Sequence, residues 1–144
     1  MTILDANLLL YAYNADAPQH VQSRRWMEDL FAGPEWIGFP WLTLWAFVRI
    51  STNPRLSPAP LPAREAFRIV HTLLAQPKVT VVDAGPRHAE ILERLVVENQ
   101  ATGPRLTDAV LAALCVEHGG TLASTDRGFA RFGGLRWINP LERD

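Results

Sequence analysis

Three aspartates, Asp5, Asp108 and Asp126, are the side chains of this sequence whose type and spacing best suit chemistry. Asp5 and Asp126 each follow a short apolar segment, so both stand at carboxyl ends of predicted strands, where open α/β sheets bind their ligands. Asp108 lies in the opening turns of the helix that leads into the second of these strands, and the fold could bring its carboxylate to the same edge. Three convergent carboxylates repel one another unless a cation joins them, and oxygen ligands without sulfur or imidazole favour Mg²⁺ or Mn²⁺. The pattern therefore indicates a divalent metal site.

Each of these acids also has a structural interpretation that needs no metal. Asp5 and Asp126 could cap helices that follow strands, and the dipole of its own helix could favour an acid at Asp108. Taken singly, the three positions leave both interpretations open, and only their convergence in the fold would distinguish a site from three separate caps.

The elements that must position the three acids alternate along the chain. Apolar or β-branched segments, interpreted as strands, cover residues 3–5, 36–39, 79–82, 121–124 and 135–138. Helical periodicity covers residues 6–13, 17–31, 41–52, 63–76, 87–99, 106–118 and, briefly, 126–132. The predicted apolar faces of these helices include Val21, Phe67 and Leu106. Strands alternating with helices at these lengths predict an α/β fold, with a mostly parallel sheet covered on both faces.

Length and composition place the chain among globular proteins. At 144 residues it suits one domain, 1–144, and 48% hydrophobic with 20% charged residues excludes intrinsic disorder. A formal net charge of −1 gives no general attraction to a polyanion. Thirteen of the fourteen basic residues are arginines, which suit phosphate recognition, although a GC-rich genome produces the same bias.

Cysteine usage and hydropathy predict a compartment. Cys115 is the single cysteine, which excludes an intramolecular disulfide, and its apolar neighbours predict a buried, inert thiol. The longest apolar-leaning run, residues 36–48, has 13 residues against the ~20 that a membrane helix needs. The N-terminus shows no signal-peptide pattern, because Asp5 interrupts its hydrophobic stretch. We expect a cytoplasmic protein without a membrane segment.

The motifs around the aspartates resemble those of the PIN-domain nucleases. They are Leu4-Asp5-Ala6-Asn7, Thr107-Asp108-Ala109 and Ser124-Thr125-Asp126-Arg127-Gly128-Phe129. Residues 46–55 and 135–141 are similar to the VapC toxin branch, so the resemblance runs nearly end to end. It implies a PIN-like three-layer fold, with a parallel sheet of about five strands flanked by helices. It also implies a Mg²⁺-dependent endoribonuclease of a type II toxin–antitoxin system, a homodimer that a VapB-type antitoxin inhibits.

The resemblance assigns roles to particular residues. Asp5, Asp108 and Asp126 would hold Mg²⁺, or Mn²⁺ in its place, and the metal would activate a water for attack on an RNA phosphodiester. Asn7 and Thr125 would hold the carboxylates or a metal-bound water by hydrogen bonds, with turn capping as the alternative. Phosphate contacts are expected from three arginines, for which solvated surface charge is the alternative: Arg49, Arg55 and Arg127.

One position departs from the family pattern. Many PIN nucleases carry a glutamate on the third helix, and the residue that aligns with it here is Ala46, which cannot bind metal. Asp83, at the end of the third predicted strand, could substitute for the missing acid. Its more ordinary role would be that of a cap before Pro86.

The tryptophans and histidines have ordinary structural interpretations. The tryptophans could stack on RNA bases, but their apolar neighbours favour core positions. They are Trp26, Trp36, Trp41, Trp45 and Trp137. The histidines lack metal-ligand spacing, so structural roles are expected for them: His20, His71, His88 and His118.

Two other functions remain open at this point. The first is a catalytically weak PIN scaffold that binds RNA or a partner protein without cleaving. Ala46 argues for it, and the retention of three aspartates argues against it. The second is a structure-specific DNA nuclease, although such chains are usually longer and richer in acids.

Overall fold

The computed structural model describes residues 1–142 of the chain, and within them strands and helices alternate as predicted. In chain order the elements are β1 (Thr2–Leu4), α1 (Ala6–Ala12), α2 (His20–Ala32), β2 (Ile37–Pro40), α3 (Trp41–Ser51), α4 (Ala63–Leu74), β3 (Val79–Val82), α5 (His88–Asn99), α6 (Pro104–Glu117), β4 (Thr121–Ala123), a 3₁₀ helix (Arg127–Arg131) and β5 (Arg136–Ile138). Each predicted segment corresponds to one of these elements, with ends that differ by a few residues.

The five strands form one parallel sheet in the order β3-β2-β1-β4-β5. β1 is the central strand, and Thr2 pairs with Ile37 of β2 on one side and with Thr121 of β4 on the other. Because parallel strands end at the same edge, the residues that follow β1 and β4 are neighbours. The prediction of an α/β fold with a parallel sheet of about five strands is confirmed.

Two hydrophobic cores cover the two faces of this sheet. Successive side chains of a strand point to opposite faces, so Ile3 of β1 belongs to the core beneath α5 and α6. Its neighbour Leu4 belongs to the core beneath α1, α2, α3 and α4. Both residues are fully buried. The predicted arrangement of helix layer, sheet and helix layer is therefore present.

Close contacts fix the central strands against each other and against α3. A Cβ atom built on Gly38 of β2 would lie 2.6 Å from Val82 Cγ2 and 3.0 Å from Ile3 Cγ1, so only glycine fits between these side chains. At the end of β1, the Thr43 hydroxyl donates a 2.8 Å hydrogen bond to the carbonyl of Leu4. The first turn of α3 is thereby held beside the carboxyl end of β1.

Several apolar residues that were predicted to be buried are exposed instead. Val21, Phe67 and Leu106 are among the exposed large apolar side chains. On α4 the buried face is centred on Ala66 and Val70, and Phe67 is turned away from it by one residue, about 100°. Three tryptophans are also exposed, against the expectation that they lie in the core: Trp36, Trp41 and Trp45.

Cys115 and His20 are placed as the sequence predicted. Burial raises the pKa of the Cys115 thiol to about 12, which keeps it protonated and inert. Nδ1 of His20 lies 2.9 Å from the carbonyl oxygen of Tyr11, a contact in keeping with a structural role. No helix within residues 1–142 combines the length and the apolar character that crossing a bilayer requires.

Candidate metal centre

Asp5 stands at the end of the central strand and is held by several hydrogen bonds. Its backbone N–H donates to the carbonyl of Ala123 on β4. Its Oδ1 accepts from the N–H of Ala6 at 2.7 Å, so Asp5 caps α1. Its Oδ2 accepts from the Ser124 hydroxyl at 2.7 Å and, more weakly, from Asn7 Nδ2 at 3.3 Å. The Asp5 carboxylate is therefore both a helix cap and a candidate metal ligand.

Ser124 ties the residues after β1 to those after β4, and it was not singled out from the sequence. Its buried hydroxyl donates to Asp5 and accepts from Asn7 Nδ2 at 3.0 Å and from the N–H of Asp126 at 3.1 Å. The Ser124 hydroxyl thereby uses its single donor hydrogen and both of its acceptor lone pairs. The sequence did contain one indication of this role, because a small polar residue at the buried end of a predicted strand needs a hydrogen-bond partner.

Asp126 is the N-cap of the 3₁₀ helix after β4 and is exposed. Its Oδ1 accepts a 2.8 Å hydrogen bond from the N–H of Gly128. A Cβ atom on Gly128 would lie 2.9 Å from that same oxygen, so the turn needs glycine to bring the N–H this close. Like Asp5, this acid is both a cap and a candidate ligand.

Asp108 lies in the second turn of α6 and differs from the other two acids in its surroundings. Among the hydrogen bonds described for residues 1–142, none reaches its carboxylate. Burial raises the pKa of Asp108, and the nearby charges of Asp126 and Asp5 raise it further, while Arg105 lowers it. The pKa of Asp5 is likewise raised by burial and by Asp126, against the lowering effect of its hydrogen bonds. The three carboxylates thus lie close enough to repel one another.

The donor set suits a hard divalent cation, although it does not form a finished cage. Within residues 1–142, no three His, Cys, Asp or Glu side chains are arranged to hold a metal ion as they stand. Mg²⁺ keeps several of its waters and commonly binds proteins through only one or two carboxylates. Oxygen ligands whose mutual repulsion a cation would relieve fit that requirement.

The two residues predicted to support the acids are placed differently. Asn7 reaches the acids with its side chain, which donates to Ser124 and Asp5. Thr125 contributes its backbone N–H, at 3.5 Å from Asn7 Oδ1. No hydrogen bond of the Thr125 hydroxyl is found in the part of the chain that the structure describes.

Neither Ala46 nor Asp83 supplies a fourth carboxylate to the candidate site. Ala46 lines a cavity of about 420 Å³ together with Asp5 and Asp108, so α3 does face the acids. The carbonyl of Asp83 lies 2.7 Å from His118 Nε2, at the far end of α6. His118 is ten residues beyond Asp108, about 15 Å of helix. Asp83 therefore does not replace the missing glutamate.

Two cavities flank the acids, and arginines line both. The cavity beside α3, called here the tryptophan cavity, is lined by Asp5, Leu42, Thr43, Trp45, Ala46, Arg49, Thr107, Asp108 and Leu111. The second, of about 140 Å³ and called here the arginine cavity, is lined by Arg105, Asp108, Asp126, Gly128, Arg131 and Phe132. Asp108 lies between the two cavities and borders both.

The three arginines predicted to bind phosphate do not share one location. Arg49 lines the tryptophan cavity. Arg55 is exposed in the turn beyond α3 and lines neither cavity. The guanidinium of Arg127 pairs with Glu142 at 2.7 Å. Arg105 and Arg131, which the sequence did not distinguish from other surface arginines, lie beside the acids instead.

Comparison with known proteins identifies the class to which this fold and site belong. The PIN domain family model matches residues 2–135. Ribonuclease VapC37 of Mycobacterium tuberculosis is 42% identical over 140 residues, which cover 97% of each chain. Ribonuclease VapC31 of the same species is 41% identical over 140 residues, 97% of this chain and 99% of that one. The chain is a member of the PIN domain family and, within it, of the VapC family.

Solved structures share the fold at lower sequence identity. VapBC2 from Rickettsia felis, solved with a DNA fragment from its promoter, superposes with a TM-score of 0.69 at 16% identity, covering 96% of this chain and 97% of that one. Mycobacterium tuberculosis VapC20, a toxin that cleaves the sarcin-ricin loop, gives a TM-score of 0.65 at 19% identity and covers 94% and 99% of the two chains. At these identities the likeness concerns the fold.

Proposed function

We propose that this chain is the metal-dependent endoribonuclease toxin of a type II toxin–antitoxin system and acts in the cytoplasm. One observation carries the proposal: three mutually repelling carboxylates meet at the carboxyl edge of β1 and β4, with arginines on both sides. The names of the VapC relatives, which align over nearly the whole chain, support the same activity.

Asp5, Asp108 and Asp126 would hold the metal, Mg²⁺ or Mn²⁺. The bound ion would polarise a water for in-line attack on the phosphodiester and stabilise the leaving oxygen. The chain itself orients the ligands. Ser124 and the N–H of Ala6 hold Asp5, and the N–H of Gly128 holds Asp126. We expect products with a 5′-phosphate and a 3′-hydroxyl.

The arginines that border the two cavities would contact the RNA backbone. Arg49 lies on one side of the acids, and Arg105 and Arg131 lie on the other. A strand that crosses the acids would therefore meet a cation both before and after the cleaved bond, and arginine suits phosphate because its fork makes paired hydrogen bonds. Arg127 would join them only after releasing Glu142.

A VapB-type antitoxin is the partner that this function requires, and a homodimer is the proposed assembly. The simplest inhibitory contact is an arginine of the antitoxin placed among Asp5, Asp108 and Asp126, where a guanidinium relieves the same repulsion as a metal ion. Inhibition and metal binding would then compete. Raising Mg²⁺, with ionic strength matched by a monovalent salt, is expected to weaken the complex.

A cleavage assay on purified protein tests the proposal. Labelled single-stranded RNA, structured RNA and DNA of the same sequences are incubated with the chain in Mg²⁺ or in EDTA, and the ends of the products are mapped. We expect cleavage of RNA in Mg²⁺ alone, and none by an Asp126→Asn variant purified in parallel, which controls for contaminating nuclease. Binding without cleavage would favour the scaffold function, and cleavage of DNA alone would favour the structure-specific DNA nuclease.

A further inference from the structure

Two exposed tryptophans stand side by side on α3. Trp41 and Trp45 are four residues apart, which places them on one helix face, and their ring centroids lie 6.3 Å apart with an interplanar angle of 27°. Trp41 is 37% exposed and Trp45 is 65% exposed. Leaving most of Trp45 and about a third of Trp41 in water forgoes burial that would stabilise the fold.

Trp45 lies in the same cavity as the acids. It lines the tryptophan cavity with Asp5 and Asp108, and Arg49 lies one turn further along α3 in the same cavity. The side chain between them in sequence, Ala46, is small and leaves this cavity open. A flat aromatic surface, a cation and two carboxylates thus border one space of about 420 Å³.

A nucleotide matches these three features better than a protein surface does. Its base has a π-face that stacks on tryptophan, and its phosphate suits Arg49 and a metal-bearing acid. A protein that covered this cavity would have to bring its own cation to Asp5 and Asp108, as proposed for the antitoxin arginine, and its apolar side chains would leave Arg49 without an anion. The chemistry of the cavity therefore favours single-stranded nucleic acid, the only form in which a base face is free to stack.

We propose that Trp45, backed by Trp41, is a stacking platform for a base of the RNA next to the cleaved bond. This inference rests on the proposed function, since it takes RNA as the substrate. It predicts that the platform contributes affinity through the base, whereas the arginines contribute through the phosphates.

The test separates these contributions with two probes. One is a single-stranded RNA of random sequence and about twelve nucleotides, within the usual range of single-strand sites, and the other is an abasic ribose-phosphate oligomer of equal length. Binding is followed by fluorescence anisotropy in the Asp126→Asn background, with RNA integrity checked on a gel. Trp45→Ala, Trp45→Phe, Trp41→Ala and Arg131→Gln are compared. Trp36→Ala is the matched control, because Trp36 is 58% exposed but precedes β2, at the opposite edge of the sheet.

We expect Trp45→Ala to weaken binding of the base-bearing RNA roughly tenfold and to leave the abasic probe within about twofold. Trp41→Ala should give a smaller loss of the same kind, and Trp45→Phe should retain most of the affinity. Arg131→Gln should weaken both probes equally, and Trp36→Ala should change neither.

Equal effects of Trp45→Ala on both probes would overturn the inference. So would unchanged RNA affinity accompanied by loss of self-association in light scattering or of antitoxin binding, because Trp45 would then belong to a protein interface. Cleavage by the chain carrying its native aspartates is scored separately. Its absence, with the base-dependent loss intact, would refute the proposed function alone.

Discussion

Asp5 and Asp108 border the same cavity but are held in opposite ways. Asp5 accepts hydrogen bonds from Ala6 and Ser124, and the strand that carries it is the centre of the sheet. Asp108 projects from the second turn of α6, and its carboxylate has no hydrogen-bond partner within residues 1–142. Burial raises the pKa of both acids, and only for Asp5 do hydrogen bonds oppose the rise.

This difference indicates how a metal site can be built into a stable fold. The hydrogen bond that caps α1 also orients Asp5, so this ligand of the proposed site is positioned without an ion. Asp108 contributes repulsion that only a cation or a guanidinium removes. The two acids should therefore respond differently when each is neutralised.

The largest expected effect is on catalysis, where the two acids should be equally necessary. Asp5→Asn, Asp108→Asn and Asp126→Asn are each expected to lower Mg²⁺-dependent RNA cleavage at least about a hundredfold, because each removes a proposed ligand of the ion that would stabilise the transition state. Single-turnover cleavage, with circular dichroism to confirm folding, measures this. Full activity of any one variant at modest Mg²⁺ would remove that residue from the mechanism.

The next effect concerns the residues that hold Asp5. Ser124→Ala removes the donor to Asp5 and an acceptor for Asn7 and Asp126, and a loss of roughly 10- to 100-fold in metal affinity or cleavage is expected. Thr125→Val is the matched control, because the structure assigns no hydrogen bond to that hydroxyl within residues 1–142. Equal losses in both variants would contradict the role given to Ser124.

A smaller effect is expected from restoring the missing acid. Ala46→Glu places a carboxylate in the tryptophan cavity beside Asp5 and Asp108, and Mn²⁺ affinity is expected to rise roughly five- to tenfold because a further charged ligand joins the site. Calorimetric titration with Mn²⁺ measures the change. Ala46→Gln, which has the same size without the charge, should not tighten binding, and an unchanged affinity of a folded Ala46→Glu protein would show that the new carboxylate does not reach the metal.

The smallest effect concerns stability without metal. When an acid has a higher pKa in the folded state than in the unfolded state, its ionisation destabilises the folded state. Neutralising Asp108 should therefore stabilise the metal-free protein. In EDTA, the melting temperature of Asp108→Asn should exceed that of the unmodified chain by on the order of 1–2 °C at pH 7, since solvent screens this partly exposed group.

The pH dependence gives the sign of that effect an independent check. The difference in melting temperature between Asp108→Asn and the unmodified chain should appear as the pH rises above 3.8, the ordinary pKa of the Asp108 carboxyl. It should reach its full size above the raised pKa of Asp108. The exposed acid Asp16, which lies in the loop between α1 and α2 and not at a helix end, is the control for the substitution itself. A lower melting temperature of Asp108→Asn at pH 7 would contradict the repulsion among the acids.

The sequence predicts the acids of the candidate site better than the residues that surround them. Asp5 and Asp126 follow predicted strands, so the edge where they lie could be predicted from the strand positions and the parallel sheet, whereas the neighbouring positions of β1 and β4 came only from the structure. Ser124 could not be ranked above its neighbours, because its value depends on three partners that only the tertiary structure brings within hydrogen-bond distance. Arg105 and Arg131 are likewise indistinguishable in sequence from other surface arginines.

The exposure of the tryptophans on α3 could not be predicted from periodicity. Periodicity shows which face of a helix is apolar, but it does not show whether another element covers that face. For α3, Phe47 and Leu44 are buried, whereas Trp41 and Trp45 are left uncovered. For Ala46 the sequence was sufficient. The resemblance to the family predicted that this position lacks the usual acid, and the structure shows that the position faces the cavity.

Metal binding shows more directly than activity whether Asp5, Asp108 and Asp126 together form one divalent site, as we propose. Mn²⁺ is titrated calorimetrically into the metal-free chain and into Asp5→Asn, Asp108→Asn and Asp126→Asn, with Asp29→Asn as the control. We expect a saturable site in the unmodified chain and in Asp29→Asn that is lost or at least tenfold weaker in the other three. Mn²⁺ binding of equal strength in all five proteins would contradict this expectation.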